Sequence, residues 1–245
     1  MLGLPPAQST CMLHRQRHAR LTFVRRHFAN PYSHIPSNGR MYDRQLILAL
    51  ALTLGVLLVL SGLAPFDRGT WLMEVAPIFV AVPVMAATAR RFPLTRLVYV
   101  LIFLHAVILL VGGAYSYARV PLGFWIQHHL GGDRNPYDKI GHFAQGFVPA
   151  MVARELFVRR GFVRGRGMTA FLCGCVAMAI SACYELIEWG AALALGQGAD
   201  EFLGTQGYAW DTQSDMLYAL IGATTALALL SRWHDRAIER IEARA

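Results

Sequence analysis

Runs of about 20 mostly apolar residues recur along this chain, and no other feature restricts its fold as much. They lie at roughly 45–64, 71–89, 97–114, 168–190 and 215–231. A helix needs about 20 apolar residues to cross the hydrocarbon core of a bilayer, and a crossing segment must satisfy its backbone internally. The chain is therefore expected to be all-α, a polytopic membrane helix bundle. Composition agrees: 55% of residues are hydrophobic and only 16% are charged, a balance far from that of soluble domains. A sixth stretch, 141–158 (GHFAQGFVPAMVARELFV), contains His142, Gln145 and Pro149. Hydropathy by itself leaves it open.

Charge decides for a sixth span. With six crossings, both termini and the connections 90–96 and 159–167 share one side, together with Arg154. All but four of the 23 Lys and Arg then fall on that side, the exceptions being Arg68, Arg119, Arg134 and Lys139. Without a span at 141–158, the basic run RRGFVRGR (159–166) would face the opposite side, against the positive-inside bias. Six transmembrane helices are expected, with the N- and C-termini cytoplasmic. The net charge of +8 is thus a topology signal. Basic residues spread over several loops make no nucleic-acid surface.

Residues 1–40 contain six Arg, four His and no acidic residue. This basic N-terminal extension has the composition of a transit peptide, and equally of translated upstream sequence, so Met41 is the expected start. Residues 41–231 form the six-helix membrane domain. Residues 232–245 form a charged cytoplasmic tail whose Asp235/Glu239 and Arg236/Arg240 spacing suits a solvated helix end. Cys173, Cys175 and Cys183 lie in one apolar run and Cys11 stands apart, with no C-x-x-C pair. Buried thiols are expected, not a disulfide framework.

Against this background, carboxylates in apolar runs are conspicuous. SACYELIEW (181–189) carries Glu185 and Glu188. On an outward-running fifth span, Glu185 is 17 residues past Met168, about 25 Å along the helix and near the outer edge of a core about 30 Å thick. Glu188 is one turn higher, on the face of Ser181 and Glu185. The fourth span runs inward from YDKIGHFAQGF (137–147). Asp138, Lys139 and His142 therefore start at the same depth, with Gln145 one turn below. The sixth span begins with Asp211 and Asp215 at its mouth. An unpaired carboxylate in lipid costs several kcal/mol, so these groups are expected to face one another or a wet cavity.

Two kinds of reading follow. In the functional one, Asp138, His142, Glu185 and Glu188 are candidates for acid–base chemistry, and Lys139, Gln145, Asp211 and Asp215 for ligand binding. His142, Glu185, Glu188 and Asp215 offer the imidazole and oxygen donors that suit a divalent metal ion. In the structural one, Thr212 to Asp215 matches a capping box, Asp138 caps the fourth helix, Lys139 snorkels to the interface, and His142 is a hydrogen-bonded packing residue. The Ala219, Gly222, Ala223, Ala226 set reads as close helix packing. PLGFWIQHHL (121–130) suits a short interfacial amphipathic helix; its adjacent His128 and His129 point different ways and are weak ligand candidates. The sequence contains no G-x-S-x-G, no H-E-x-x-H and no P-loop, so no named reaction is supported.

YDKIGHFAQGFVPA, SACYELIEW and FLGTQGYAWDTQSDMLYALIGA closely resemble the signatures of YjdF-type bacterial inner-membrane proteins, a family of unknown function. The resemblance covers roughly 45–231. The same pattern is distantly similar to VanZ-like membrane proteins. Asp138, Lys139, His142 and Phe143 match the first VanZ-like element. Glu185 matches the acidic position of the second, with Glu188 where a glutamine is common. Asp215 and Gly222 match the third, with Ala219 in place of the usual asparagine. In the YjdF-type motif, Tyr208 stands where an aspartate is expected. The resemblance implies a multi-pass protein of the bacterial inner membrane, surrounded by lipid. VanZ-like proteins are associated with glycopeptide tolerance and the cell envelope. A lipid-linked envelope ligand is the partner expected at the polar cluster; a small transporter or channel, or a structural assembly protein, are the alternatives. The oligomeric state stays open.

Overall fold

A computed structural model describes residues 38–195 and 209–243 of the chain, and side chains at 43–194 and 209–243. The basic extension before residue 38 and the segment around Tyr208 lie outside these residues. Among the described residues there are seven helices and no strand. They are α1 (Asn38–Leu63), α2 (Arg68–Thr88), α3 (Arg96–Tyr115), α4 (Pro121–Leu130), α5 (Tyr137–Arg160), α6 (Arg166–Leu195) and α7 (Asp211–Glu242). From Arg40 onward they belong to one compact unit.

Each apolar run lies in one long helix, and the helices overrun the runs because capping chemistry, not hydropathy, sets their ends. Asp67 starts α2 by accepting a 2.7 Å hydrogen bond from the Thr70 backbone N–H. Thr95 caps α3 through its side chain. Gly131 and Gly161 end α4 and α5 with φ of 72° and 64°, left-handed values that a glycine adopts without the Cβ penalty. Five helices are long and apolar enough to cross a membrane: α1, α2, α3, α6 and α7. α5 has the length, about 36 Å for its 24 residues at 1.5 Å per residue, but too many polar groups.

α5 is polar because it is central. It packs against α3, α6 and α7, most extensively against α7. Ala150 and Met151 are wholly buried and Val148 nearly so. Two glycines permit the α5–α7 contact. A Cβ on Gly146 would collide with the Ala219 carbonyl, and one on Gly222 with the Phe143 carbonyl. Ala219, Ala223 and Ala226 complete a buried small-residue stripe on α7, the close packing that such residues allow between membrane helices. α1 sits at the side, held where Leu54 meets Val75 and Ile78 and where the Trp71 indole N–H donates to Ser61 Oγ at 3.1 Å. Asp43 near its start pairs with Arg96, and from Leu46 to Leu63 most other side chains are apolar and exposed or half-buried, as expected of a helix facing acyl chains.

The two ends of the bundle differ. At one end, the α2–α3 and α5–α6 connections and the end of α7 are tied together. Arg159 donates to the Pro93 carbonyl at 2.6 Å and to Glu155 at 2.8 Å, and Arg154 pairs with Asp235. This end gathers the Arg-rich connections. At the other end stand the N-termini of α5 and α7 and the C-terminal third of α6, with the acidic residues. α7 runs without a break through the charged segment after residue 231, and His234 is wholly buried. The solvated end expected there is thus buried on one face, because α7 keeps packing against α5.

Candidate functional site

The residues that build the acidic end come from three helix ends. Asn135 sets the entry to α5: its Oδ1 accepts from the Tyr137 N–H at 3.0 Å, and its Nδ2 donates to the Val120 carbonyl at 2.9 Å. Gly123 on α4 leaves the space that Asn135 fills. α5 then presents Asp138, Lys139 and His142 toward α7, which the Gly146 and Gly222 contact holds at minimum distance.

Lys139 lies between carboxylates. Its Nζ is 2.5 Å from Asp215 Oδ1, 3.0 Å from Asp211 Oδ1 and 3.5 Å from Asp138 Oδ2. Arg134 adds a second cation, 2.6 Å from Asp211 and 3.8 Å from Asp138. The capping expectations for Asp138 and Asp215 are therefore corrected. Neither α5 nor α7 has a side-chain N-cap bond, and Asp215 lies inside its helix with its carboxylate on Lys139. Pairing across helices outcompetes a local cap here because these acids are too deep for water to satisfy them. Lys139 likewise pairs inside the bundle and does not reach outward.

His142 is oriented by its neighbours. Its Nδ1–H donates to Gln145 Oε1 at 3.0 Å, which leaves Nε2 facing Asp138 Oδ1 at 3.4 Å and Asp215 Oδ2 at 3.6 Å. One donor atom each from Asp138, His142 and Asp215 lies within 4.8 Å of the others. An imidazole fixed through its far nitrogen is the usual arrangement of a metal-binding histidine. Glu185 approaches from α6, with Oε1 3.8 Å from His142 Nδ1. Glu185 is 8% exposed, and that oxygen has no hydrogen-bond partner among the described residues. Of the metal set expected from sequence, His142 and Asp215 converge with Asp138, Glu185 stands beside them, and Glu188 lines an adjoining cavity.

That cavity, about 620 Å³, lies between α2, α3, α5 and α6. Its acidic end is bounded by Asp138, His142 and Glu188, and by three residues that sequence reasoning passed over: Glu74, Tyr117 and Tyr184. Glu74 is 3% exposed, and the Tyr184 hydroxyl donates to its Oε2 at 3.1 Å. The signal for Glu74 was present, as the lone acid in WLMEVAPIFV (71–80). Arg134 was passed over because it lies in a loop. The interfacial segment 121–130 is the helix α4, and its His128 and His129 are exposed, stacking on one another and on Trp125. They are not brought to the cluster.

Six carboxylates, from Glu74, Asp138, Glu185, Glu188, Asp211 and Asp215, thus meet Arg134, Lys139 and the imidazole of His142 at one end of the bundle. The arrangement can hold added positive charge, or polarise a bound polar group.

Comparison with known proteins places this architecture. The chain is 63% identical over 190 residues to the inner membrane protein YjdF of Escherichia coli (strain K12), an alignment covering 78% of this chain and 91% of that protein. The YjdF-type resemblance of the three motifs is thereby established, and with it a multi-pass protein of the inner membrane; the further likeness to VanZ-like proteins gains no support from these matches. No solved structure matches the chain. Residues 46–236, which hold the acidic end and the cavity, match the family described as Predicted membrane protein (DUF2238), and the chain belongs to that family.

Proposed function

We propose that the protein binds a cation at the non-cytoplasmic mouth of a six-span bundle, and uses that mouth to engage a polar or lipid-linked envelope ligand. The observation that carries this reading is the convergence of Asp138, His142 and Asp215 around one point, with a buried Glu185 oxygen beside it that has no hydrogen-bond partner among the described residues. In this reading α5 is the sixth crossing. Its polar residues are sheltered by α3, α6 and α7, and the Arg-rich end is cytoplasmic by the positive-inside bias. Carboxylate and imidazole donors suit a first-row divalent ion such as Mn²⁺ or Zn²⁺.

The test is titration of chelator-treated protein with Mn²⁺ or Zn²⁺ in detergent. Saturable binding of one ion per chain is expected, weakened at least tenfold by His142→Ala and by Asp138→Asn with Asp215→Asn. Binding that those variants leave unchanged, or no saturable binding at all, overturns the reading.

A second reading, a path for small ions or protons, has one observation in its favour. His105 lines the same cavity further from the acidic end, and its Nε2 is buried without a partner among the described residues. Intramembrane histidines serve in proton relays. Flux into proteoliposomes that His105→Ala abolishes would favour this reading over simple binding.

A further inference from the structure

The cavity has a shape that a cation site alone does not require. α2 and α6 do not pack against each other over any length, and the cavity is the gap between them. At the acidic end the gap is bridged by Tyr184 of α6, whose hydroxyl donates to Glu74 Oε2 at 3.1 Å and to the Met73 carbonyl at 3.3 Å on α2. Beyond that bridge the walls are apolar: Pro77, Ala81 and Val84 on α2, Val148 and Val152 on α5, Ile180 on α6. Ile180 on α6 and Val84 on α2 are 39% and 57% exposed, so the apolar walls of the gap are not closed over by the bundle. Along α5 the lining runs from Asp138 to Arg160, about 33 Å of helix, comparable with the whole hydrocarbon core of about 30 Å. The volume falls in the range of about 300–1,000 Å³ typical of small-ligand sites.

The charge at the closed end narrows the occupant. Lys139 lies against Asp211, Asp215 and Asp138, and Arg134 against Asp211 and Asp138. Glu74 and Glu188 have no Lys or Arg partner within ion-pair distance among the described residues, and Asp138 and His142 complete the rim. Glu74 and Glu188, the two lining carboxylates without such a partner, repel an anionic head and attract an ammonium.

We propose that the gap between α2 and α6 holds the hydrocarbon chain of a single-chain amine amphiphile, entering sideways from the lipid, with its ammonium group at Glu74 and Glu188. This deepens the reading of the acidic mouth as a cation-accepting site and rests on it. An extended chain replaces lipid contacts in the apolar shaft, and the head meets Glu74 and Glu188, which have no fixed Lys or Arg partner among the described residues. The Tyr184 hydroxyl and Gln145 amide are within the same lining and supply further hydrogen bonds to a polar head.

The experiment measures binding of radiolabelled hexadecylamine to the full chain in phosphatidylcholine nanodiscs, with hexadecanol and hexadecyl phosphate as comparators. Saturable binding of one hexadecylamine per chain is expected, with at least tenfold weaker binding of both comparators. Glu74→Gln is expected to weaken hexadecylamine binding at least tenfold. Ala81→Trp, which fills the shaft from a half-buried position on α2, is expected to abolish it while leaving Mn²⁺ titration and the melting temperature unchanged. Equal binding of all three amphiphiles, or hexadecylamine binding indifferent to Ala81→Trp, overturns the inference. If Mn²⁺ still binds through His142 in that case, the amphiphile inference has failed and the cation reading stands. If neither binds, both have failed.

Discussion

His234 Nε2 lies 3.0 Å from Glu155 Oε2, with both side chains wholly buried and 79 positions apart in sequence. The pair fastens α7 to α5 at the Arg-rich end of the bundle. Glu155 is saturated: the Thr95 N–H donates to Oε1 at 2.8 Å, the Thr95 hydroxyl to Oε2 at 2.7 Å, and Arg159 to Oε1 at 2.8 Å. His234 accepts at Nδ1 from Arg154 at 3.1 Å and so donates from Nε2. One carboxylate therefore gathers the start of α3, the end of α5 and the late part of α7.

Removing one member of this set leaves the others buried and unpaired, which typically costs about 3–5 kcal/mol. His234→Ala is expected to lower the melting temperature in detergent markedly, and Glu155→Ala more so, because four donors lose their acceptor. Neither substitution touches the acidic mouth, so Mn²⁺ affinity at temperatures well below melting should stay within about twofold. A His234→Ala protein as stable as wild type would show that the pair holds nothing together.

The α5–α7 contact makes a different prediction, because it links packing to the candidate site. Gly222 abuts the Phe143 backbone, one residue from His142, and Gly146 abuts Ala219, four residues from Asp215. A Cβ at either position meets main chain, which cannot rotate away. Gly222→Ala and Gly146→Ala are each expected to cost about 1–3 kcal/mol, the usual range for overpacking. They should also weaken cation binding, since the helices must separate where Asp138, His142 and Asp215 converge. Ala substitution at Gly174, which has open space around it, is the control: both stability and binding should be unchanged.

Asp67 provides a pH-dependent element outside the spans. The Thr70 backbone N–H bonded to its carboxylate favours the ionised form and holds its pKa below the usual carboxylate value. The folded-state pKa is therefore lower than the unfolded one, near 3.9. The added stability is fully present above the unfolded pKa and is lost as pH falls through the folded one. Asp67→Ala is expected to cost about 1 kcal/mol at pH 7, typical of a lost N-cap, and the gap from wild type should narrow below pH 4. A gap that is constant from pH 7 to pH 3 would mean that capping is not the source.

What the sequence made legible was periodicity and depth. Apolar runs located the long helices, and counting residues from their ends put Asp138, His142, Glu185 and Asp215 at one level, because a helix converts sequence separation into distance at a fixed rise. Pairings were not legible. Nothing in the spacing of Lys139 indicates that it serves Asp211 and Asp215 on another helix instead of snorkelling, since helix rotation depends on the Gly146 and Gly222 contact. Glu74 escaped notice because it is a single acid in an apolar run, and its partner Tyr184 lies 110 positions away. The charged residues of 232–245 suit a solvated helix end, yet His234 on one face of that segment is wholly buried. Local composition reports the average environment of a turn, and burial there is decided by one face.

Glu185 separates a binding site from a structural lock. If the acidic cluster exists to hold helices together, each carboxylate is a needed partner, and Glu185→Gln should lower the melting temperature. The geometry argues otherwise. Among the described residues Glu185 Oε1 is buried with no hydrogen-bond partner, and the charged neighbour beside it, His142 Nδ1, already donates to Gln145. Replacing an under-satisfied carboxyl group by a neutral amide of the same shape forfeits little, since an unmet buried acceptor is itself unfavourable. Glu185→Gln is therefore expected to be at least as stable as wild type without added metal, while the rise in melting temperature caused by Mn²⁺ shrinks by more than half. Loss of stability in metal-free buffer, with the Mn²⁺ effect intact, would instead make the cluster a fastening between α5, α6 and α7.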